Sequence, residues 1–279
     1  MIPIPEIKPN QSVELLKELH ILTRDGKLNQ DSRRKLKQVY HLFHFIEPLL
    51  EELLVTQKNL TLADHGAGKS YLGFIVYDLF LKARATENIS GHIYGIESRE
   101  ELVNKSQQLA LKLGFVRMSF VNLSVEKSIH SSQLPEQIDV VTALHACDTA
   151  TDDVITFALH KQAKFIVLVP CCQAEVATLL NKNKNQSFGK TPLSEIWRHP
   201  IHTREFGSHL TNILRCLRLE ANGYQVTVTE LVGWEHSLKN ELIIARRTGA
   251  PRNNAQEKLT QILCDLNLEE LRERFMDQP

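Results

Sequence analysis

The stretch Leu60-Thr61-Leu62-Ala63-Asp64-His65-Gly66-Ala67-Gly68-Lys69-Ser70-Tyr71-Leu72-Gly73 decides the fold. An apolar run of strand character, Leu60 to Asp64, breaks into a turn with two glycines and resumes as a helical pattern at Tyr71. A strand that turns through glycines into a helix opens an α/β unit, and ligands bind at such turns. Glycine lets the backbone approach a bound group closely. The helix start adds free N–H groups for a carboxylate or phosphate.

Working outward, short apolar runs alternate with helical patterns. Residues 60–64, 92–97, 116–121, 138–144 and 164–170 read as strands, and 71–84, 99–113, 151–162 and 174–181 as helices. This alternation implies right-handed crossovers and a parallel sheet with helices on both faces. Ser98 with Glu101 forms a capping-box pattern, and Gly114 sits where a left-handed helix stop is wanted. Residues 182–202, with Asn, Lys, Gly and two prolines, read as a loop insertion. A helix with Leu210, Ile213, Leu214 and Leu217 on one face follows, and then two β-rich runs, 224–232 and 241–246, close enough to pair antiparallel. Upstream, Leu36, Val39, Tyr40, Phe43, Ile46 and Leu50 recur at helical spacing, and Pro48 should end or kink that helix. The tail, with Leu259, Ile262, Leu263, Leu266, Leu271 and Phe275, reads as one or two docked amphipathic helices. The expected organisation is a helical region at 1–58, an α/β domain at 59–249 and a helical tail at 250–279.

Composition narrows the class. The 279 residues are 42% hydrophobic and 24% charged, which excludes disorder, collagen-like repeats and coiled coil as the main architecture. The longest apolar run, Phe165 to Val169, is too short to span a bilayer, and the N-terminus lacks the basic and apolar regions of a signal peptide. Five cysteines, two of them adjacent, suit a reducing compartment, so a cytoplasmic protein is expected. The 33 basic and 33 acidic residues balance, but unevenly along the chain. Residues 23–41 carry 6 − 2 = +4, residues 181–218 carry 7 − 2 = +5, and residues 257–279 carry 3 − 6 = −3. A charge run is by default a solvated helix face; the sharper reading is that two basic segments flank a site for an anionic substrate.

Three ligands compete for the glycine-rich turn. Gly68-Lys69-Ser70 ends like a phosphate-binding loop, but Ala63 stands where that motif begins with glycine, and Asp64 places a carboxylate among the phosphates. A dinucleotide fingerprint needs a third glycine where Tyr71 stands. The third ligand, S-adenosylmethionine, carries a zwitterionic amino-acid end that a D-x-G-x-G turn can serve. Asp64 offers negative charge to its ammonium, and Gly66 and Gly68 let the turn wrap it. Glu97, at the end of the second strand, is placed to accept the ribose hydroxyls, and Asn122, after the third strand, to meet the adenine edge. The full candidate set is Asp64, Gly66, Ala67, Gly68, Ser70, Tyr71, Glu97, Ser98, Asn122, Leu123 and Leu144. Each residue alone is more often structural; their order on successive strand ends makes the reading specific.

The ends of the fourth and fifth strands carry His145, Asp148, Cys171 and Cys172, the candidate catalytic residues. Adjacent parallel strands lie ~4.8 Å apart, so these ends should face one cleft. Four readings stand side by side: small packers with His145 as loop scaffold, a substrate pocket, a nucleophilic cysteine attacking a pyrimidine, and a metal site. The last is disfavoured by the Cys171-Cys172 doublet, which lacks C-x-x-C spacing, and no metal is expected. His236 and Lys239 read as a solvated loop or as substrate contacts. Trp197, with Arg198, His199 and His202, reads as insertion packing or as a stacking surface for a nucleobase.

The segment Ala143-Leu144-His145-Ala146-Cys147-Asp148-Thr149-Ala150-Thr151-Asp152, then Pro170-Cys171-Cys172-Gln173, together with the D-x-G-x-G turn, resembles class I S-adenosylmethionine-dependent methyltransferases. The branch resembled includes the methyltransferase region of the glutathione S-transferase C-terminal domain-containing protein and, more distantly, tRNA 2′-O-methyltransferases. The resemblance covers roughly residues 35–248 and extends to His236-Ser237-Leu238-Lys239-Asn240. It implies a Rossmann-like, mostly parallel seven-stranded sheet with the last strand antiparallel, the cofactor over the first two strands, and the 182–202 insertion on the substrate side. The family usually has glycine where Asp148 stands and an apolar residue where His65 stands. Members with known substrates act on RNA, so the resemblance implies a methyltransferase acting on RNA. A small-molecule or protein acceptor, or a module that binds the cofactor or RNA without turnover, are the alternatives.

Overall fold

Leu60, Leu62, Ala63, Asp64 and His65 are all buried, as befits an interior parallel strand covered on both faces. That strand, β1 (Asn59–His65), belongs to a computed structural model that describes residues 6–84, 87, 89–144, 146, 148–170, 173–184, 191–231 and 241–276. The chain packs as two compact units, Met1–Leu144 and His145–Pro279.

In the first unit, β1 pairs in parallel with β2 (Ser90–Glu97) on one side and β4 (Val140–Leu144) on the other. β2 in turn pairs in parallel with β3 (Met118–Asn122). The register sets Asp64 opposite Gly95 and Thr142, and Glu97 opposite Asn122. The C-terminal tips of β1, β2 and β3 therefore carry the candidate cofactor residues side by side.

The crossovers are α3 (Tyr71–Val76), continued by a wider π-type turn at Tyr77–Leu81, α4 (Glu100–Leu113) and the short α5 (Val125–Ser128). Gly114 closes α4 at φ 69°, the left-handed stop read from the sequence. Its start differs from expectation: Arg99, not Ser98, is the N-cap residue, and it makes no side-chain cap. The reason is that Arg99 and its amide are drawn to the Glu97 carboxylate instead.

Two helices precede β1. α1 (Val13–Glu18) is anchored through the Ser12 amide, which donates to buried Asp78 at 2.7 Å. α2 (Gln30–Thr56) does not end at Pro48 but runs eight residues past it, to Thr56. Proline removes one helical hydrogen bond, yet Leu49, Leu50 and Leu53 beyond it are buried, and that burial holds the last two turns.

In the second unit, β7 (Glu241–Arg247) lies between β5 (Phe165–Val169) and β6 (Tyr224–Glu230) and is antiparallel to both. The seven strands follow the order β3-β2-β1-β4-β5-β7-β6, mostly parallel, with β7 reversed against both of its neighbours. The unit's helices are α6 (Ala150–His160), α7 (Glu175–Lys182), α8 (Pro200–Ala221), α9 (Ala255–Asp265) and α10 (Arg272–Phe275). Leu259, Leu263 and Phe275 of the tail pack with Val176 and Leu180 of α7 and Leu210 and Leu214 of α8, so the tail is docked as expected.

The described part of 182–202, residues 182–184 and 191–202, is less loop-like than the sequence implies. Pro192–Trp197 is a 3₁₀ helix, and α8 already begins at Pro200, a proline at the first helical position where its missing N–H costs nothing. Ile213 is 50% exposed, unlike Leu210, Leu214 and Leu217. The buried arc of α8 turns instead toward Thr211, Arg215 and Arg218.

Candidate functional site

The turn after β1 is built by left-handed backbone. Gly66 (φ 61°), Gly68 (φ 55°) and Ser70 (φ 52°) all lie in that region, and the Ala67 amide donates to the Ile96 carbonyl at the tip of β2. Two of these positions are glycine, as that conformation favours. Ser70 carries the strain because its side chain is fully buried beneath the turn, where Gly73 leaves room for its hydroxyl. A Cβ on Gly66 would meet nothing within 4 Å, so the outer side of the turn is open. Tyr71, the first residue of α3, is partly buried, and burial raises its phenol.

Glu97 faces this turn from the neighbouring strand tip. It is 6% exposed, and its Oε2 accepts the Gly68 amide at 2.8 Å. Its Oε1 accepts the Arg99 amide and Nε, each at 3.0 Å, and Arg99 Nη2 reaches Oε2 at 3.2 Å. The Ser98 hydroxyl lies 3.4 Å from Oε1. Burial opposes ionisation of Glu97, but the bonds from Arg99 and Gly68 outweigh it and hold the carboxyl below its ordinary range. The Asn122 side-chain amide donates to the carbonyls of Glu97 (3.1 Å) and Ser98 (2.9 Å), bracing the strand tip, and Leu123 follows it, half-buried.

This geometry decides between two of the three ligands. A phosphate-binding loop aims its amides at phosphate oxygens, whereas the Gly68 amide here is taken by a carboxylate. A second carboxyl, Asp64, lies two residues before Gly66. A triphosphate would meet two acids, and the phosphate-loop reading falls.

Asp64 is an interior group. It is 2% exposed, with Oδ1 accepting the Thr142 hydroxyl at 2.8 Å. Burial pushes its carboxyl up to about 7, against hydrogen bonds from Thr142 and the Gly73 backbone. His65 is fully buried, and burial pushes its imidazole down to about 3, so it is neutral across the physiological range. A neutral imidazole is what an interior strand position can hold. Leu144, the last residue of β4, is half-buried.

Of the candidate catalytic residues, His145, Cys171 and Cys172 lie outside the described residues, as do His236 and Lys239. Asp148 is described, and its backbone is left-handed at φ 48°. That conformation favours glycine, and aspartate is among the few side chains that tolerate it. Its Oδ1 accepts the Ala174 amide at 3.2 Å.

What lies behind Asp148 is set by residues distant in the chain. Arg215, 1% exposed, donates from Nη2 to the Asp148 carbonyl at 2.8 Å and forks onto Asp152 at 2.7 and 2.8 Å. Its Nη1 donates to Asn212 Oδ1 at 3.1 Å. Asn212 also accepts from Gln173 Nε2 (2.9 Å) and donates to Glu241 Oε2 (2.8 Å). One buried network thus grips the chain one residue after Cys147, one after Cys172 and one after Asn240. Trp197 stacks edge-on with Phe206 against the helical core, which is the packing alternative for that residue. Among the described residues no cluster of His, Cys, Asp and Glu could hold a metal ion.

An acid-flanked glycine turn on this strand order defines an α/β protein of the methyltransferase type. A methyltransferase domain model matches residues 34–179, just over half of the chain, and the chain belongs to that family. The glutathione S-transferase C-terminal domain-containing protein of Mus musculus is 23% identical over 171 residues, covering 60% of this chain and 24% of the relative. Its Xenopus laevis counterpart is 22% identical over 238 residues, covering 79% and 35%. The chain thus spans about a quarter to a third of the length of the curated relatives it matches. Among solved structures, magnesium protoporphyrin IX methyltransferase from Synechocystis PCC 6803 with bound SAH is 16% identical, with a TM-score of 0.45, covering 85% of this chain and 95% of the other. An rRNA methylase from Streptococcus thermophilus is 11% identical, with a TM-score of 0.43, covering 74% and 95%.

Proposed function

We propose that this chain is an S-adenosylmethionine-dependent methyltransferase that modifies RNA in the cytoplasm. The observation that carries the cofactor assignment is the buried Glu97 carboxylate bonded to the amide of the glycine turn. Space beside Gly66 and the two glycines at positive φ fit an adenosyl amino acid rather than a triphosphate. Glu97 serves the ribose, braced by Asn122. The backbone of Gly66, Ala67 and Gly68 serves the amino-acid end, and Asp64 supplies charge from beneath. The cofactor supplies an electrophilic methyl group. The chain's own task is to align an acceptor atom and remove its proton, for which His145, Cys171 and Cys172 are the proposed groups.

RNA is supported by surface charge, unequally between the two basic segments. In 23–41 all six bases, Arg24, Lys27, Arg33, Arg34, Lys35 and Lys37, are exposed, Arg33 pairing with Glu6 at 3.0 Å. In 181–218, Arg215 and Arg218 are buried, and Arg198 and Arg204 pair with Glu195 and Glu205. Lys69, Lys105 and Lys112 line a cavity of about 400 Å³ beside the glycine turn, with Glu18 as its acid. The N-terminal segment therefore carries the RNA reading.

Labelled methyl transfer onto total RNA and total protein tests it. Label enters RNA, and binding of a structured RNA weakens with salt at a log–log slope of about −4 if some five phosphates are neutralised. Reversing Arg33, Arg34 and Lys35 to glutamate flattens that slope. Label in protein alone, with a salt-independent RNA signal, would assign a protein acceptor instead.

A further inference from the structure

A carboxylate offers about four acceptor positions, and the chain itself fills all four on Glu97. Oε1 takes the Arg99 amide and Arg99 Nε; Oε2 takes the Gly68 amide and Arg99 Nη2. Each oxygen is thus held once by fixed backbone and once by the guanidinium, with the Ser98 hydroxyl a longer contact to Oε1 at 3.4 Å. The two backbone donors belong to the start of α4 and the glycine turn and stay where those elements are. The two guanidinium donors sit at the end of a side chain that is 62% exposed. The nearest atom to a Cβ built on Gly68 would be Arg99 Nη2, at 3.8 Å, so the guanidinium lies over the turn as well.

A guanidinium fork and a ribose present the same pattern to a carboxylate: two neighbouring donors, one for each oxygen. They compete for the same two positions. We propose that Arg99 is a residue of the cofactor site, whose guanidinium holds on Glu97 the two acceptor positions that the ribose hydroxyls take, and which cofactor binding displaces. The proposal rests on the cofactor assignment above.

The contact has a reason to exist in the free protein. Glu97 is nearly buried, and a buried carboxylate left without partners is costly, so the fork compensates it until a ligand arrives. Because Arg99 is largely exposed, its displaced head returns to water. The competition therefore weakens the cofactor by about two- to fivefold, the weight of an exposed ion pair.

Calorimetric titration with S-adenosylhomocysteine tests this on the whole chain, with Arg99→Met and Arg99→Lys beside the parent. Arg99→Met binds about two- to fivefold more tightly than the parent at low salt. The gap narrows as salt screens the Arg99–Glu97 pair and the parent gains affinity. Arg99→Lys falls between the two, because one ammonium cannot span both oxygens. Binding by both proteins, with Arg99→Met equal to or weaker than the parent at every salt concentration, overturns the proposal and leaves the cofactor assignment standing. No binding by any of the three proteins, all folded by circular dichroism, overturns the cofactor assignment and the proposal with it.

Discussion

Replacing Arg215 with alanine will destabilise the second unit by about 3–5 kcal/mol, because it strips a buried carboxylate of its only bidentate partner among the described residues. Asp152 is 3% exposed, and both of its oxygens are held by Arg215, at 2.7 and 2.8 Å. Without the guanidinium, an ionised Asp152 stays inside without the fork on its two oxygens; Arg218 bonds its backbone carbonyl, at 3.3 Å. Arg215→Lys will recover little, since one ammonium cannot reach Asp152, the Asp148 carbonyl and Asn212 together. Replacing both members, as in Arg215→Met with Asp152→Leu, will be far milder, because no charge is then left unpaired. Urea unfolding of the three variants makes the comparison. A loss under 1 kcal/mol for Arg215→Ala would mean that the pair is not buried as described. The network matters beyond stability: through Asp148 and Asn212 it holds the residues that flank the proposed catalytic loops.

Asp64→Asn will reshape the dependence of stability on pH. The carboxyl titrates near 3.8 when unfolded and about 7 when folded, so between these values the native state binds the extra proton. Its contribution is full below about pH 4 and is lost as pH rises through 7. The loss amounts to about 4 kcal/mol. His65 works the other way. Its folded value of about 3 lies below the ordinary 6.5, so its contribution is present above 6.5 and lost as pH falls toward 3. In the parent the two slopes oppose each other between about pH 4 and 6.5. Asp64→Asn leaves only the rising one. The variant therefore gains on the parent by about 4 kcal/mol between pH 4 and a pH well above 7. Urea midpoints measured across that range, variant against parent, are the check. A flat difference curve would mean that Asp64 is ionised normally and open to water.

The parts of this molecule set by local chemistry were legible from the chain. Alternating strand and helix periods placed the sheet, Gly114 marked the end of α4, and Asp64, Gly66, Gly68 and Glu97 marked the adjoining tips of β1 and β2. What escaped depends on residues far apart in sequence. Arg215 reads locally as one more base on a charged helix, because its partner Asp152 is 63 positions away. The same pairing turns the buried arc of α8 and leaves Ile213 outside. Pro48 read as an end or a kink, and the helix runs on because the apolar cover over Leu49, Leu50 and Leu53 is tertiary. Arg99 sits two residues from Glu97, near enough to be noticed. The capping-box pattern of Ser98 and Glu101, however, pointed to a helix start rather than to an ion pair. Asp148 was noticed as a departure from glycine, and only its φ of 48° shows what the position requires.

The central claim is that the glycine turn and the Glu97 carboxylate hold an adenosyl amino acid together. Its most direct measurement is calorimetry of S-adenosylhomocysteine on the parent chain and on Glu97→Gln, which keeps the side chain's size but removes its charge and one acceptor oxygen. Hydrogen bonds to a charged partner contribute about 1.5–3 kcal/mol, so the account predicts that Glu97→Gln binds roughly 10- to 100-fold more weakly. Equal affinity in the two proteins would contradict it.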